Sequence, residues 1–558
     1  MKSSWRLPLR GLALAVVFLG AGSAPGLAQC GFPSTGSGRV ITYSFDPTVT
    51  PVGMVLHVTL NFLGGPEGIE EFEVPTEWAG QKLHAVTNLH ALTQDTVITE
   101  TGRSEIKAIR YPSNQAVALG YDLIKDWTGP FISPLQFHPV LMPQYFEING
   151  ANGLVHPKLE PQAPVTVNFD WQKLPVGWVL ATSFGTTSGA EGRCQSYSGP
   201  WREVEEALFA AGEFRIHRFE IRKQPAVLAI LGQWTFSDEE AIGDIQKAVG
   251  IVRDFWQDYN FPYFLVTLKA YETGEGSTDG SAFTNAFWMY LSPPDSISAQ
   301  LPTLVHETFH TWNPNRMGQV YEYAEAGLDW FTEGFTQYYA YLLTYRAGLM
   351  TLPAYTERIN GYLRDYPNST DSDVRGPVIA LWLDGEIRRK SHGKRSLDNV
   401  MFDMLRGTAT QLAEAKVLQA AGHYLAPEAR GALAQAVEPG AKMPVPGDGA
   451  LGPCAHLLMK QVQVFDLGFD FKASMTAHRV TGVAEEGPAF KAGLRNGQTL
   501  NGWSVYYDQP EKMATFHVRT EGGPKVIQYY PSRIVAGVPQ YDLDQKAYKG
   551  NPDACRGQ

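Results

Sequence analysis

One stretch of this 558-residue chain narrows its fold more than any other: Leu304-Val305-His306-Glu307-Thr308-Phe309-His310-Thr311-Trp312. Leu301, Leu304, Val305, Phe309 and Trp312 recur at helical spacing, and Pro302 is tolerated only in a first turn, so the spacing predicts a buried helix of about three turns. His306 and His310 then stand one turn apart on one face, with Glu307 beside them. A buried helix carrying two imidazoles and a carboxylate needs something to hold them. This HExxH spacing suits one Zn2+ bound by both histidines, with Glu307 handling the proton of a water molecule.

A hydrolytic zinc site needs a third protein ligand and an open fourth position. In Asp329-Trp330-Phe331-Thr332-Glu333-Gly334-Phe335-Thr336-Gln337-Tyr338-Tyr339, helical spacing puts Phe331, Phe335, Tyr338 and Leu342 on one apolar face and leaves Glu333 and Gln337 on another. Glu333 sits among Trp330, Phe331 and Phe335, where an unpaired carboxylate is costly to bury. The 22 residues between His310 and Glu333 leave room for a loop and a returning helix. The expected metal set is therefore one Zn2+ on His306, His310 and Glu333, with Glu307 as general base.

Around this centre the patterning changes twice. From about Val40 to Arg222, short apolar runs alternate with period two, as in Met54-Val55-Leu56-His57-Val58-Thr59-Leu60, and Gly, Pro, Asn and Asp clusters punctuate them. That predicts an all-β, sandwich-like domain over residues 30–225. Asp238 and Glu239 then open a segment in which Ile242, Ile245, Val249, Val252 and Trp256 recur at helical spacing, so a mainly helical catalytic domain is expected over 226–438. Pro439-Gly440 and the Pro444 to Gly449 stretch read as a linker over 439–450, and short strands return over 451–558.

Residues 1–29 carry Lys2, Arg6 and Arg10, an apolar run from Leu12 to Leu19 and small residues at Gly26-Leu27-Ala28, the layout of an export signal. The run falls short of the roughly 20 residues needed to span a bilayer, so no transmembrane segment is expected in the mature chain. Removing the segment takes the formal net charge from −11 to −14, which opposes binding to nucleic acid. The expected location is periplasmic or secreted. Cys30 at the cleavage point also fits a lipoprotein, although Gln29 is bulkier than the small residue usual before a lipidated cysteine. In an oxidising compartment the four cysteines suggest two disulfides, expected as Cys30–Cys194 and Cys454–Cys555, each closing one end domain.

HETFHTWNPNR followed by WFTEGFTQYY resembles the glycyl aminopeptidase family of gluzincin metallopeptidases, and the resemblance continues through Leu381–Arg389 and Ser396–Met401. It implies a multidomain α+β fold: an N-terminal β domain, a thermolysin-like catalytic domain and a C-terminal PDZ domain. It also implies zinc on His306, His310 and Glu333, with Glu307 as base. Two departures stand out. Where the family has a Gly-Gly-x-Glu-His strand whose Glu holds the substrate amine, this chain has Thr278-Asp279-Gly280-Ser281-Ala282-Phe283, so Gly280 and Ser281 are the expected substrate-binding positions and the Glu is missing. Glu272, Glu275 and Asp279 are nearby acids. Where a Tyr serves the oxyanion, Asp373 stands two residues before Arg375-Gly376, with Tyr362 and Tyr366 near in sequence.

Val480 to Leu500, with its GPAxxAGLxxGQxL pattern, resembles a PDZ domain. Leu467-Gly468-Phe469 matches the loop whose amides hold a chain-end carboxylate, beside a strand edge that accepts a peptide; packing on the catalytic domain is the other role such a module could have. Together these features imply an exported zinc metallopeptidase, an aminopeptidase acting on peptide or protein substrates. The alternatives are a zinc endopeptidase without strict amino-end recognition and a catalytically weak peptide-binding scaffold.

Overall fold

The computed structural model describes residues 30–32, 38–51, 53–187, 192–261, 263–272, 278–292, 295–318, 327–369, 371–407, 412–438, 441–507, 509–552 and 554–555. The expected export segment 1–29 and Glu275 lie outside them.

Period-two alternation builds the N-terminal sheets. Six strands run in the order Cys194–Pro200, Pro164–Asp170, Arg39–Thr50, Gly53–Leu63, Ala116–Ile124, Val86–Ala91. Their inward residues, among them Ile41, Tyr43, Phe45, Leu56, Leu60, Leu119 and Tyr121, pack against Phe146, Ile148, Leu180 and Phe209 of a five-stranded sheet and Phe72 and Ile109 of a four-stranded one. Each such side chain contributes about 1.5–3 kcal/mol by leaving water, so this core, not any single bond, holds the layers together. Cys30 is joined to Cys194, tying residues 30–32 to the edge strand.

The other face of the five-stranded sheet is also apolar. Val140, Tyr145, Val179, Ala181, Leu208 and Ala210 meet Val227, Ala229, Leu265, Ala286, Trp288 and Tyr290 of a second five-stranded sheet. That sheet has the order Arg215–Ile221, Gln224–Ile230, Leu265–Ala270, Ala286–Leu291, Thr278–Phe283. It starts at Arg215, ahead of the expected boundary at 226, and the segment expected to be mainly helical opens with strands. Its three inner strands are parallel and covered on both faces, so they read as plain apolar runs instead of alternating ones.

On the far face, Leu228, Ile230, Val266, Leu268, Met289 and Leu291 share a core with Ile245, Val249 and Val252 of the helix Asp238–Trp256 and with Leu304 and Val305 of the helix Leu301–Phe309. Ser237 and Glu240 form a reciprocal capping box that starts the first of these helices. The sheet therefore lies between the N-terminal domain and the helix bearing His306.

The C-terminal strands divide into a two-stranded ribbon, Ala455–Phe465 with Ser532–Leu543, and a three-stranded sheet, Thr499–Ser504, Ala514–Thr520, Gly523–Tyr529. The sheet has its own core of Leu494, Leu500, Phe516, Val518 and Ile527. The ribbon is fixed to the helix Leu352–Asp365. Asn360 donates to the Tyr541 carbonyl oxygen at 2.9 Å and accepts from the Tyr541 N–H at 2.7 Å, as a neighbouring strand would, and the Cys454–Cys555 disulfide closes the module's base. Residues 441–450 are held rather than free: Met443 is buried, and Arg375 donates to the carbonyl oxygens of Glu438 and Ala441.

One expectation fails here. The loop Leu467-Gly468-Phe469 is followed not by a strand but by the helix Phe471–Ala477, so the edge strand expected to accept a peptide is not formed. Asp470 caps that helix by accepting from the Ala473 N–H, and a capped helix start outcompetes an extended strand. The loop amide of Gly468 donates to Asp466 Oδ1 at 2.7 Å, so the chain's own carboxylate already occupies it.

Candidate active site

The helix Leu301–Phe309 begins with Pro302 in its first turn and buries Leu304, Val305 and Phe309 completely. It is shorter than expected. Thr308 Oγ donates back to the Leu304 carbonyl oxygen at 2.7 Å and His310 takes the C-cap position, still with helical backbone angles. One turn apart, His306 and His310 bring their Nε2 atoms to 3.0 Å from each other.

Glu333 occupies a one-residue interruption between the helices Asp329–Thr332 and Gly334–Arg346. Its Oε2 lies 3.5 Å from His306 Nε2 and 3.3 Å from His310 Nε2. What positions it is a contact of two glycines. A Cβ on Gly334 would stand 2.4 Å from the Gly376 Cα, so the helix Ser372–Ser391 touches the Glu333 segment backbone to backbone. Only a residue without a side chain permits that approach.

The outer nitrogens of both histidines are committed. His306 Nδ1 donates to Gln337 Oε1 at 2.9 Å, and His310 Nδ1 donates to the Asn313 carbonyl oxygen at 3.0 Å. Acceptors at Nδ1 leave the Nε2 lone pairs pointing at each other and at Glu333, which is how ligating histidines are oriented. Gln337 is one turn beyond Glu333, so one short segment supplies both a candidate ligand and the group that aims another. Asn313 Nδ2 donates to the Phe331 carbonyl oxygen at 3.0 Å and to Thr336 Oγ at 3.2 Å, clamping the turn behind His310 to the segment carrying Glu333.

Electrostatics agree with a cation site. Burial works against charge on His310, but the Glu333 carboxylate outweighs it and pushes the ring up to about 9. Burial likewise opposes charge on Glu333, yet His310 and His306 hold it well below the usual carboxylate range. Two imidazole nitrogens and one carboxylate oxygen, mutually 3.0–3.5 Å apart, match the donor set of zinc, whose ligand bonds of about 2.0–2.2 Å put donors at comparable separations. These residues fit the ion.

Glu307 is 8% exposed, and burial raises its carboxyl. Against it runs the edge strand Thr278–Phe283, where a Cβ on Gly280 would lie 2.6 Å from Glu307 Cδ. Thr278, Gly280 and Ala282 face the site by alternation, while Ser281 shares the other face with Asp279 and Phe283. Asp279 accepts from the Tyr271 hydroxyl at 2.7 Å and from Ser133 Oγ at 3.3 Å, and Glu272 accepts from the Phe131 N–H at 2.6 Å. Both acids are turned to the N-terminal domain. Tyr362 is buried beside Gln337, behind His306, and Tyr366 lies near Arg375.

Asp373, in the first turn of the helix Ser372–Ser391, is open to solvent but stands in a recess. The walls of that recess, with Glu333 and Asp371, push its carboxyl up to about 6 against the pull of His306 and His310. Asn313, Gln337 and the Gly334–Gly376 contact were not marked as functional by sequence; the local signs were Gln337 on the same face as Glu333 and two glycines in otherwise helical stretches.

Comparisons with known proteins bear on this arrangement. Residues 299–382 match the model of the M61 glycyl aminopeptidase family, a span that holds His306, Glu307, His310, Glu333 and Asp373. No curated protein matches the chain. An aminopeptidase N family protein from Idiomarina loihiensis has the same fold, with a TM-score of 0.69 at 16% identity over 91% of this chain and 98% of that one. An M1 zinc metallopeptidase from Deinococcus radiodurans gives a TM-score of 0.47 at 14% identity, over 74% of this chain and 95% of that one.

Proposed function

We propose that the chain is an exported zinc peptidase that removes residues from the free amino end of peptides. The observation that carries this reading is the convergence of His306, His310 and Glu333, with ligand atoms within 4.8 Å of one another, beside a buried Glu307. His306, His310 and Glu333 would hold a zinc ion, which when bound would supply Lewis acidity towards a carbonyl and a water molecule. Glu307 takes the proton of the attacking water and hands it to the leaving amine, a role that its burial-raised basicity suits. Gln337 and Asn313 keep the two imidazoles aimed throughout.

The strand Thr278–Phe283 pairs only with Ala286–Leu291 among the described residues, so its outer edge is available. A substrate backbone adds there as a further strand, with Gly280 letting it and Glu307 come close and Ser281 next along the edge. The family match over the site and the aminopeptidase N-like fold support the aminopeptidase reading. Two disulfides suit an oxidising compartment, and no helix among the described residues is long and apolar enough to cross a membrane. The C-terminal module, in this reading, packs on the catalytic domain instead of capturing a chain end.

One observation favours a second reading, an endopeptidase: no carboxylate faces the site from the edge strand. Chelator-sensitive cleavage of aminoacyl chromogens, compared with an internally quenched, amino-blocked peptide, separates the two. Glu307→Gln is expected to retain zinc and lose hydrolysis. A Glu307→Gln enzyme that still cleaves at the wild-type rate, or a wild-type chain that binds no zinc, overturns the peptidase mechanism.

A further inference from the structure

An enzyme that counts from the amino end must hold a cation. The α-amine of a peptide, with a pKa of about 7.7–8.0, is charged through most of the neutral range, and a carboxylate is its natural receptor. On the strand that borders Glu307, the site-facing positions are Thr278, Gly280 and Ala282, none acidic. Asp279 is bonded to Tyr271 and Ser133, and Glu272 to the Phe131 amide, all on the side away from the zinc ligands. Glu333 is committed to the histidines and Glu307 to the water.

Asp295, at the end of that strand, accepts from Thr278 Oγ at 3.5 Å, which leaves Asp373. Its helix is pinned by Gly376 to Gly334, and a Cβ on Gly334 would stand 3.0 Å from the Ser372 carbonyl oxygen, so the turn bearing Asp373 runs directly alongside Glu333. The Asp373 carboxylate lies within electrostatic reach of His306, His310, Glu333 and Glu307, yet no hydrogen bond or ion pair among the described residues engages it, and it is solvent-exposed. Asp329 is also open, but of the site residues it interacts only with Glu333, one turn along its own chain segment. An accessible, uncommitted carboxylate beside the His306, His310 and Glu333 cluster has the charge to receive a small cation.

We propose that Asp373 receives the charged amino end of the substrate and so sets the distance at which the chain is cut. This rests on the aminopeptidase reading and names the recognition element that the edge strand lacks. A carboxylate at this place favours substrates with a free, protonated amine over acylated ones.

The test uses zinc-loaded full-length wild type, Asp373→Asn and Asp373→Glu, with metal content measured for each. Loss of a charged hydrogen bond is worth about 1.5–3 kcal/mol, so Asp373→Asn should raise KM for a free-amine aminoacyl anilide by roughly 10- to 100-fold while kcat stays within about threefold. Asp373→Glu should recover part of that loss. In a Glu307→Gln background, calorimetry should show the same weakening for a free-amine dipeptide and equal Kd values, with and without Asp373→Asn, for its N-acetyl counterpart. An unchanged KM, an equal loss on both ligands, or loss of zinc from Asp373→Asn overturns the assignment. A wild type that cleaves only amino-blocked peptides removes the aminopeptidase reading itself; a wild type that cleaves free-amine substrates beside an indifferent Asp373→Asn removes the anchor alone.

Discussion

Gly280 lies flat against Glu307: a Cβ built on it would stand 2.6 Å from the Cγ, Cδ and Oε1 atoms of that carboxylate. The strand and the helix Leu301–Phe309 meet there without an intervening side chain, and Glu307 is held in place by that wall. Adding one methyl group at Gly280 must move Glu307, because the strand is tied to Ala286–Leu291 along its length. Gly280→Ala is therefore expected to keep zinc and fold normally but lose about 100-fold in kcat, since a displacement near 1 Å of a reacting group costs that much. Stopped assays with metal analysis decide it; near wild-type kcat would show that Glu307 has slack.

A contact between two glycines, Gly334 and Gly376, carries the segment that bears Glu333. Gly376→Ala gains about 1 kcal/mol of helix propensity, but its Cβ would lie 2.3 Å from the Gly334 Cα and 2.7 Å from the Trp330 carbonyl oxygen. Backbone cannot rotate away as a side chain can, so overpacking, roughly 1–3 kcal/mol or more, wins. The expected result is a lower urea midpoint together with weaker zinc binding, because Glu333 precedes Gly334. A stabilised variant would mean the helices separate freely.

Gln337 offers a milder perturbation. Gln337→Leu preserves volume and removes the acceptor for His306 Nδ1, leaving ring orientation and tautomer unfixed. Loss of such an outer partner typically weakens metal affinity by about 10–100-fold. Chelator competition should report that weakening without a change in the urea midpoint of the zinc-free protein; identical competition curves would show that packing alone aims the ring.

These relationships explain what was legible beforehand. His306, His310 and Glu333 could be read because helical spacing fixes which side chains share a face, and an acid among Trp330, Phe331 and Phe335 needs a partner. The contact of Gly280 with Glu307 and the recess around Asp373 could not, because they depend on which strand and which helix pack on the zinc helix. The inner strands Gln224–Ile230, Leu265–Ala270 and Ala286–Leu291 hid for a related reason: covered on both faces, they lose the alternation that marks a strand. The helix after Leu467-Gly468-Phe469 is signalled by Asp470, a good N-cap, whereas the flanking motif resembles one that precedes a strand.

Away from the metal, His156 and Glu205 line one cavity of about 320 Å3 and titrate in opposite senses. Burial holds neutral His156 down at about 4, against 6.5 for an exposed ring, so the unfolded chain takes up a proton that the folded one refuses. Its contribution to stability is lost as pH falls through that window. Burial first, then Glu206 and Glu73, push Glu205 up to about 7 from 4.5, so the folded chain keeps a proton that the unfolded one releases, and stability falls as pH rises through that window. Between about 4.5 and 6.5 the two slopes offset each other. Glu205→Gln should unmask the His156 slope, making the urea midpoint at pH 7 exceed that at pH 5 by more than in wild type. His156→Gln should shrink or reverse the difference. Should both variants keep the wild-type difference, neither group titrates as its burial requires.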